Sequence, residues 1–92
     1  MTRKEIIEIA EQHECETPIL EPGLADFDAA IEGYVESAGG IRVVYDYDKC
    51  LQCLVEQNEG MTYEEAVDTF SYDTERAIRY MGVLHPLILH RD

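Results

Sequence analysis

The sequence predicts an α+β domain: a small three-stranded sheet, made of a hairpin plus a C-terminal strand, packed against three or four helices. Three observations carry this. Thr2-x-x-Glu5 and Thr62-x-x-Glu65 are capping boxes, and each opens an apolar repeat of helical period. A glycine pair, Gly39-Gly40, precedes the β-branched run Ile41-Arg42-Val43-Val44-Tyr45. Near the end, Pro86 heads Leu87-Ile88-Leu89, as suits a strand whose first residue has no N–H to donate.

The first helix begins at Thr2, with Ile6, Ile9, Ala10 and His13 forming one stripe. Glu5, Glu8, Glu11 and Glu14 recur every third residue. Three residues fall short of a full turn, so these acids fan across a broad face. The helix must stop before Thr17-Pro18, because a residue preceding proline avoids helical torsions. Residues 17–25 hold two prolines and a glycine and read as a loop. From Phe27 to Glu36 two periods compete. Phe27, Ile31, Tyr34 and Val35 fit a helix, whereas Ile31, Gly33 and Val35 alternate as in a strand with Gly33 facing in. The turn signal Ala38-Gly39-Gly40 favours the strand, giving a hairpin that joins residues 30–36 to 41–46.

Asp46 or Asp48 then caps a helix with the stripe Tyr47, Cys50, Leu51, Leu54 and Val55, ended by Asn58 and Gly60. At the second capping box, Met61 and Ala66 stand as a hydrophobic staple. The stripe runs Tyr63, Ala66, Val67 and Phe70, and continues through Thr74, Ala77, Ile78 and Met81, with Ser71 and Asp73 as a place to re-cap. Gly82 closes the helix. Leu51, Leu54, Val67, Phe70 and Ile78 occupy the stripe centres and are expected to be the most buried helical residues. Tyr47 and Tyr63 are expected to face the core, and Tyr72 the solvent.

Ninety-two residues make a single domain, expected as an acidic helical N-terminus (1–16), a loop (17–25) and an α+β core (26–92). A monomer of this size buries about 64% of its unfolded surface, enough for one modest core without staples. Charge is the abnormal quantity: 20 carboxylates face 7 Lys and Arg, for a net −13. Between Glu5 and Ile41 there is no Lys or Arg at all. Direct nucleic-acid binding is disfavoured, since it requires a basic footprint. Attraction to anionic lipid is disfavoured likewise. The first apolar stretch, Ile6 to Ala10, is broken by Glu8 and is too short for a signal or membrane segment. With three cysteines, an odd number, free thiols in a reducing cytoplasm are the expectation.

Four landmarks recur in order: Asp28-Ala29-Ala30-Ile31-Glu32-Gly33, Val43-Val44-Tyr45-Asp46-Tyr47-Asp48-Lys49-Cys50, Gly60-Met61-Thr62-Tyr63-Glu64-Glu65-Ala66 and Gly82-Val83-Leu84-His85-Pro86. From Asp26 to Leu89 the chain thereby resembles a family of small acidic proteins encoded by bacteriophages and prophages. The resemblance implies a phage-type origin and a strand-like Ile-x-Gly segment, and it brings no activity with it. Glu32 departs from the pattern where relatives tend to be apolar, and Asp73 where they tend to have asparagine.

No catalytic residues, metal ligands or cofactor are expected. Cys50-x-x-Cys53 lies within a helix among Asp46, Asp48 and Glu56, and negative neighbours favour the protonated thiol. His85 and His90, the remaining zinc ligands, would stand about 16 Å apart along a regular strand. Neither His13 nor Cys15 has the flanking pattern of a hydrolase. The expected partner is a host protein with a basic surface, met by the carboxylates of Glu5, Glu8, Glu11, Glu14, Asp26, Asp28, Glu32 and Glu36 together with Tyr72. On this reading the chain inhibits or modulates a nucleic-acid-binding protein by imitating a phosphate backbone, as a monomer or homodimer. The alternative is a phage accessory or structural protein that self-associates, its acidity serving only solubility.

Overall fold

The computed structural model describes residues 1–23, 25–37 and 39–91; Leu24 of the loop, Ala38 of the turn and the terminal Asp92 lie outside the described residues. Both capping boxes form. Thr2 Oγ1 accepts the Glu5 amide at 3.1 Å while Glu5 Oε1 accepts the Thr2 amide at 3.1 Å, starting α1 (Arg3–Gln12). The helix ends well before Thr17-Pro18. His13 caps it, Glu14 turns to a left-handed φ of 54°, and the Cys15 amide donates back to the Ala10 carbonyl at 3.0 Å. Three contacts hold α1 beside the first strand. The N-terminal ammonium donates to the Ile31 carbonyl, Arg3 pairs with Asp28, and His13 Nε2 lies 3.8 Å from Glu36 Oε1.

The sheet is mixed, in the order β1-β2-β3. β1 (Ile31–Ser37) pairs antiparallel with β2 (Gly40–Asp46), and β2 pairs parallel with β3 (Leu87–Leu89). A single 3₁₀ turn, Asp28–Ala30, leads into β1, so the competing periods of residues 27–36 each describe a part. At the hairpin, Gly39 adopts φ 81°, which a side chain resists. Gly40 is needed for space, since a Cβ there would stand 2.7 Å from Leu84 Cδ1 and 3.1 Å from Cys15 Sγ.

One expectation about β1 is overturned. Ile31 lies across from Tyr45, but Gly33 is already across from Val44, so Glu32 is an extra residue in a β-bulge. A bulge exchanges the two faces of the strand beyond it. Tyr34, rather than Gly33, therefore shares the face of fully buried Val43, and nothing stands within 4 Å of where a Gly33 Cβ would be.

Asp46 caps α2 (Tyr47–Gln57), accepting the Lys49 amide at 2.9 Å. Cys50, Leu51, Cys53 and Leu54 are buried along it. The second capping box opens α3 (Tyr63–Thr69), which runs into a π-helical segment, Phe70–Glu75, and a last helical turn, α4 (Arg76–Ile78). A π segment winds with more residues per turn than an α-helix. Ala66 and Phe70, four apart through α3, share one buried face, and the wider winding beyond Phe70 keeps Ile78 on it. Val67 lies about 100° around from Ala66 and is 39% exposed, contrary to expectation. Tyr63, at the first helical position, is also exposed, whereas Tyr47 is half-buried against the core as expected.

One buried cluster joins Ile6 and Ala10 of α1, Leu20, Ala25 and Phe27 of the connecting segment, the inward residues of β1 and β2, and the helical residues above. Burying Ile6 completely contributes about 2 kcal/mol, which ties the acidic helix to the rest of the chain. Phe70 centres the aromatic part. Its ring lies edge-on to Phe27 at 5.8 Å and to Tyr47 at 5.6 Å. No helix among the described residues is long and apolar enough to cross a membrane.

Candidate functional site

The carboxylates singled out from the sequence separate into two groups once their neighbours are known. Asp28 and Glu32 are turned inward to cations. Arg3 Nε donates to both Asp28 oxygens at 3.1 and 2.9 Å, and its Nη2 donates to the Leu20 carbonyl at 2.9 Å. This side chain bridges the start of α1 to the approach to β1. The carboxylate of Asp28 raises the Arg3 guanidinium pKa against a smaller opposing effect of burial. Nearby, the Leu20 amide donates to the Tyr45 hydroxyl at 3.0 Å, satisfying the one polar atom of a completely buried ring.

Glu32 owes its direction to the bulge. Its Oε1 accepts from Lys49 Nζ at 2.7 Å and its Oε2 stands 3.2 Å from Arg91 Nη2. Arg91 also reaches Asp46, so two carboxylates and two cations from β1, β2, α2 and the segment after β3 form one cluster. The hydrogen bond to Glu32 raises the Lys49 pKa. The acid that the bulge places at position 32 is thus met by two cations.

Glu5 is engaged locally: its carboxylate closes the capping box, and the Thr2 backbone and hydroxyl lower its pKa. Asp26 folds back on its own loop, Oδ1 accepting the Asp28 amide at 2.9 Å. Gln57 clamps the same residue through its backbone, accepting from the amide at 2.7 Å and donating to the carbonyl at 2.8 Å. Glu8, Glu11 and Glu14 are exposed and have no cation partner among the described residues. Glu36 stands at the far end of β1, and its contact with His13 puts it beside the end of the same helix. Glu8 and Glu11 on α1 and Glu14 just beyond its end are thus exposed acids, with Glu36 near the C-terminal end of the helix.

No family model, curated protein or solved structure matches the chain.

Tyr72 is 67% exposed, on the π segment, with the Arg76 guanidinium 4.9 Å from its ring centre. Tyr80 and Val83 are more exposed still, and sequence reasoning missed both. Tyr80 lies two residues beyond buried Ile78, about 200° around a helix from it, and so faces away from the core.

Cys50 and Cys53 are buried thiols. Burial pushes Cys50 up to about 12 and raises Cys53 as well, with the neighbouring Asp46 and Glu56 adding to the respective effects. His85 and His90 are occupied elsewhere. Arg42 Nε donates to the His85 carbonyl at 2.8 Å, and Arg42 Nη2 lies 2.9 Å from Nε2 of the ring. The His90 ring lies 4.3 Å from that of Tyr47. Among the described residues, no group of three His, Cys, Asp or Glu side chains is arranged to hold a metal ion.

Proposed function

We propose that this is a phage-type acidic binding protein, and not an enzyme, which occupies a basic surface evolved for a phosphate backbone on a cytoplasmic host protein. The supporting observation is the set of exposed, cation-free carboxylates of Glu8, Glu11 and Glu14 beside Glu36. Duplex DNA carries one charge per about 1.7 Å of axis, so a competitor needs several carboxylates within tens of ångströms. Glu8 and Glu11, three apart on α1, are separated by about 4.5 Å of helical rise, and Glu14 follows just beyond the helix end. The net charge of −13 extends the field outward and steers a basic partner into contact. Defence and replication proteins with nucleic-acid grooves are the class of target that fits. Asp28, Glu32 and Glu5 serve the fold on this reading, and the contact falls to the remaining acids.

The test is affinity capture from a host lysate at low salt, comparing the parent with the triple reversal Glu8→Lys, Glu11→Lys and Glu14→Lys. These positions avoid the capping box, so the thermal melt should stay nearly unchanged. The partner should be lost from the variant and should leave the parent steeply with added salt. Equal capture by both would refute the mimic.

Self-association is a second reading, favoured by apolar exposure on the sheet. It takes the helices to cover one sheet face and leaves the other open, where Val35 and Leu89 are exposed and Val44 and Leu87 half-buried. Sedimentation of the parent and of Val35→Glu distinguishes it, since a sheet-face dimer dissociates in the variant.

A further inference from the structure

A second feature lies away from α1, where the π segment meets the segment that precedes β1. Between them is a cavity of about 300 Å³, at the lower end of the range for small-molecule sites. Its floor is part of the core: Leu20, Phe27 and Leu54 are all less than a tenth exposed, and Phe27 is braced by the ring of Phe70. Ala77 and Met81 form one apolar wall. The other lining positions include two carboxylates and no cation.

Those two acids decide the chemistry. Asp73 projects from the π segment and has no cation partner among the described residues. Glu21 is largely exposed and touches Arg3 Nη1 only at 3.4 Å, since Arg3 commits its Nε to Asp28. A hydrocarbon group entering the cavity is desolvated against Leu20, Phe27 and Leu54. A positive head group on the same molecule would remain at the mouth between Glu21 and Asp73, partly hydrated and paired. An anionic head group would meet two like charges there, and a neutral one would gain nothing from them.

We propose that this cavity is a binding site for a small amphiphilic cation, with its hydrocarbon part inside and its ammonium or guanidinium group at the Glu21–Asp73 rim. The π segment is the structural cause. Its wide turn keeps Phe70 in the core while Asp73 and Thr74 remain on the cavity side. The site is separate from the carboxylate surface of α1 and does not depend on it.

The probe is n-octylammonium, with n-octanoate and n-octanol as the anionic and neutral comparisons, titrated at low ionic strength into isotopically labelled protein. Octylammonium should move the methyl signals of Leu20, Leu54, Ala77 and Met81 and bind about tenfold more tightly than octanoate, as two exposed carboxylates allow. Asp73→Asn should narrow that preference while octanol binding stays unchanged. Ala77→Phe, which narrows the mouth, should weaken all three probes. Two results would overturn the proposal: equal affinity for octanoate and octylammonium, or shifts confined to Glu8, Glu11 and the rest of α1 with the cavity methyls still. Should Ala77→Phe lower the melt, the parent and Asp73→Asn titrations decide the matter alone.

Discussion

Asp46 and Arg91 are 45 positions apart in the chain and meet through a 2.7 Å hydrogen bond from Arg91 Nε to Asp46 Oδ2. The other oxygen of the same carboxylate caps α2, so one buried acid fixes both the start of a helix and the segment following β3. Removing it leaves an uncapped helix and an Arg91 guanidinium held by Glu32 without Asp46. Asp46→Ala should cost about 2 kcal/mol by urea titration, about half from the lost cap. Arg91 is the more exposed partner, so Arg91→Ala alone should cost less, about 1 kcal/mol. A double-mutant cycle showing no coupling would mean that the pair contributes nothing.

The same carboxylate gives a pH dependence. The Lys49 amide chiefly, and then Arg91, hold the Asp46 carboxyl below its ordinary range, against the opposing effect of burial. A folded value below the unfolded one of about 3.9 adds stability above that pH, and this is lost as pH falls through the folded value. Acid titration of the melt should therefore show a loss for the parent that is smaller in Asp46→Asn.

Phe70 and Val67 mark the buried and the exposed side of the third helix. Phe70→Ala removes a fully buried ring that touches Phe27 and Tyr47, and should cost about 3–5 kcal/mol. Val67→Ala should cost less than about 1 kcal/mol, as at other exposed positions. Equal costs would place both residues on the buried stripe.

Much of the fold was legible because its signals are local. Thr2 with Glu5, Thr62 with Glu65 and Asp46 before Tyr47 each cap a helix through atoms three residues away. The hairpin followed from the glycine pair and the β-branched run beside it. What failed depends on partners distant in the chain. The bulge at Glu32 exchanged the faces of Gly33 and Tyr34, and Lys49 and Arg91 receive the acid it re-aims. In α3 the buried stripe runs through Ala66 and Phe70 and passes Val67 by, a choice of face set by what the helix packs against. In the candidate site, counting acids could not tell Asp28, paired by Arg3, from Glu8 and Glu11, which have no cation.

Two buried groups resist ionisation and set the alkaline limit. Burial pushes the Cys50 thiol and the Tyr45 hydroxyl each up to about 12, the latter despite the amide donated by Leu20. Their unfolded values are about 8.5 and 10, so the associated stability is complete below those values and is lost as pH rises toward the folded ones. Tyrosinate absorbance should show Tyr45 ionising late, together with unfolding. Under neutral conditions an alkylating reagent should label half-buried Cys15 first and reach Cys50 only as the protein opens.

Gly40→Ala tests the close approach behind the hairpin. The added methyl would meet Leu84 Cδ1, the end of a side chain that can turn away, and Cys15, which has less room to move. The melt should show a loss of about 1 kcal/mol. Pairing the change with Leu84→Ala should recover part of it. No recovery would assign the cost to Cys15 or to the backbone.

The parallel pairing of β2 with β3 also fixes an order of events during folding. The hairpin closes across a short turn, whereas contacts such as Arg42 with His85 span 43 positions and wait until α2 and the π-wound helix have been laid down between them. Chain entropy therefore delays the third strand, so the transition state should hold the hairpin and lack β3. An interaction formed after the barrier governs the rate of leaving the native state more than the rate of reaching it. The link from Arg91 to Asp46 should accordingly act as a latch on lifetime, its loss leaving refolding rates nearly unchanged while native molecules open faster.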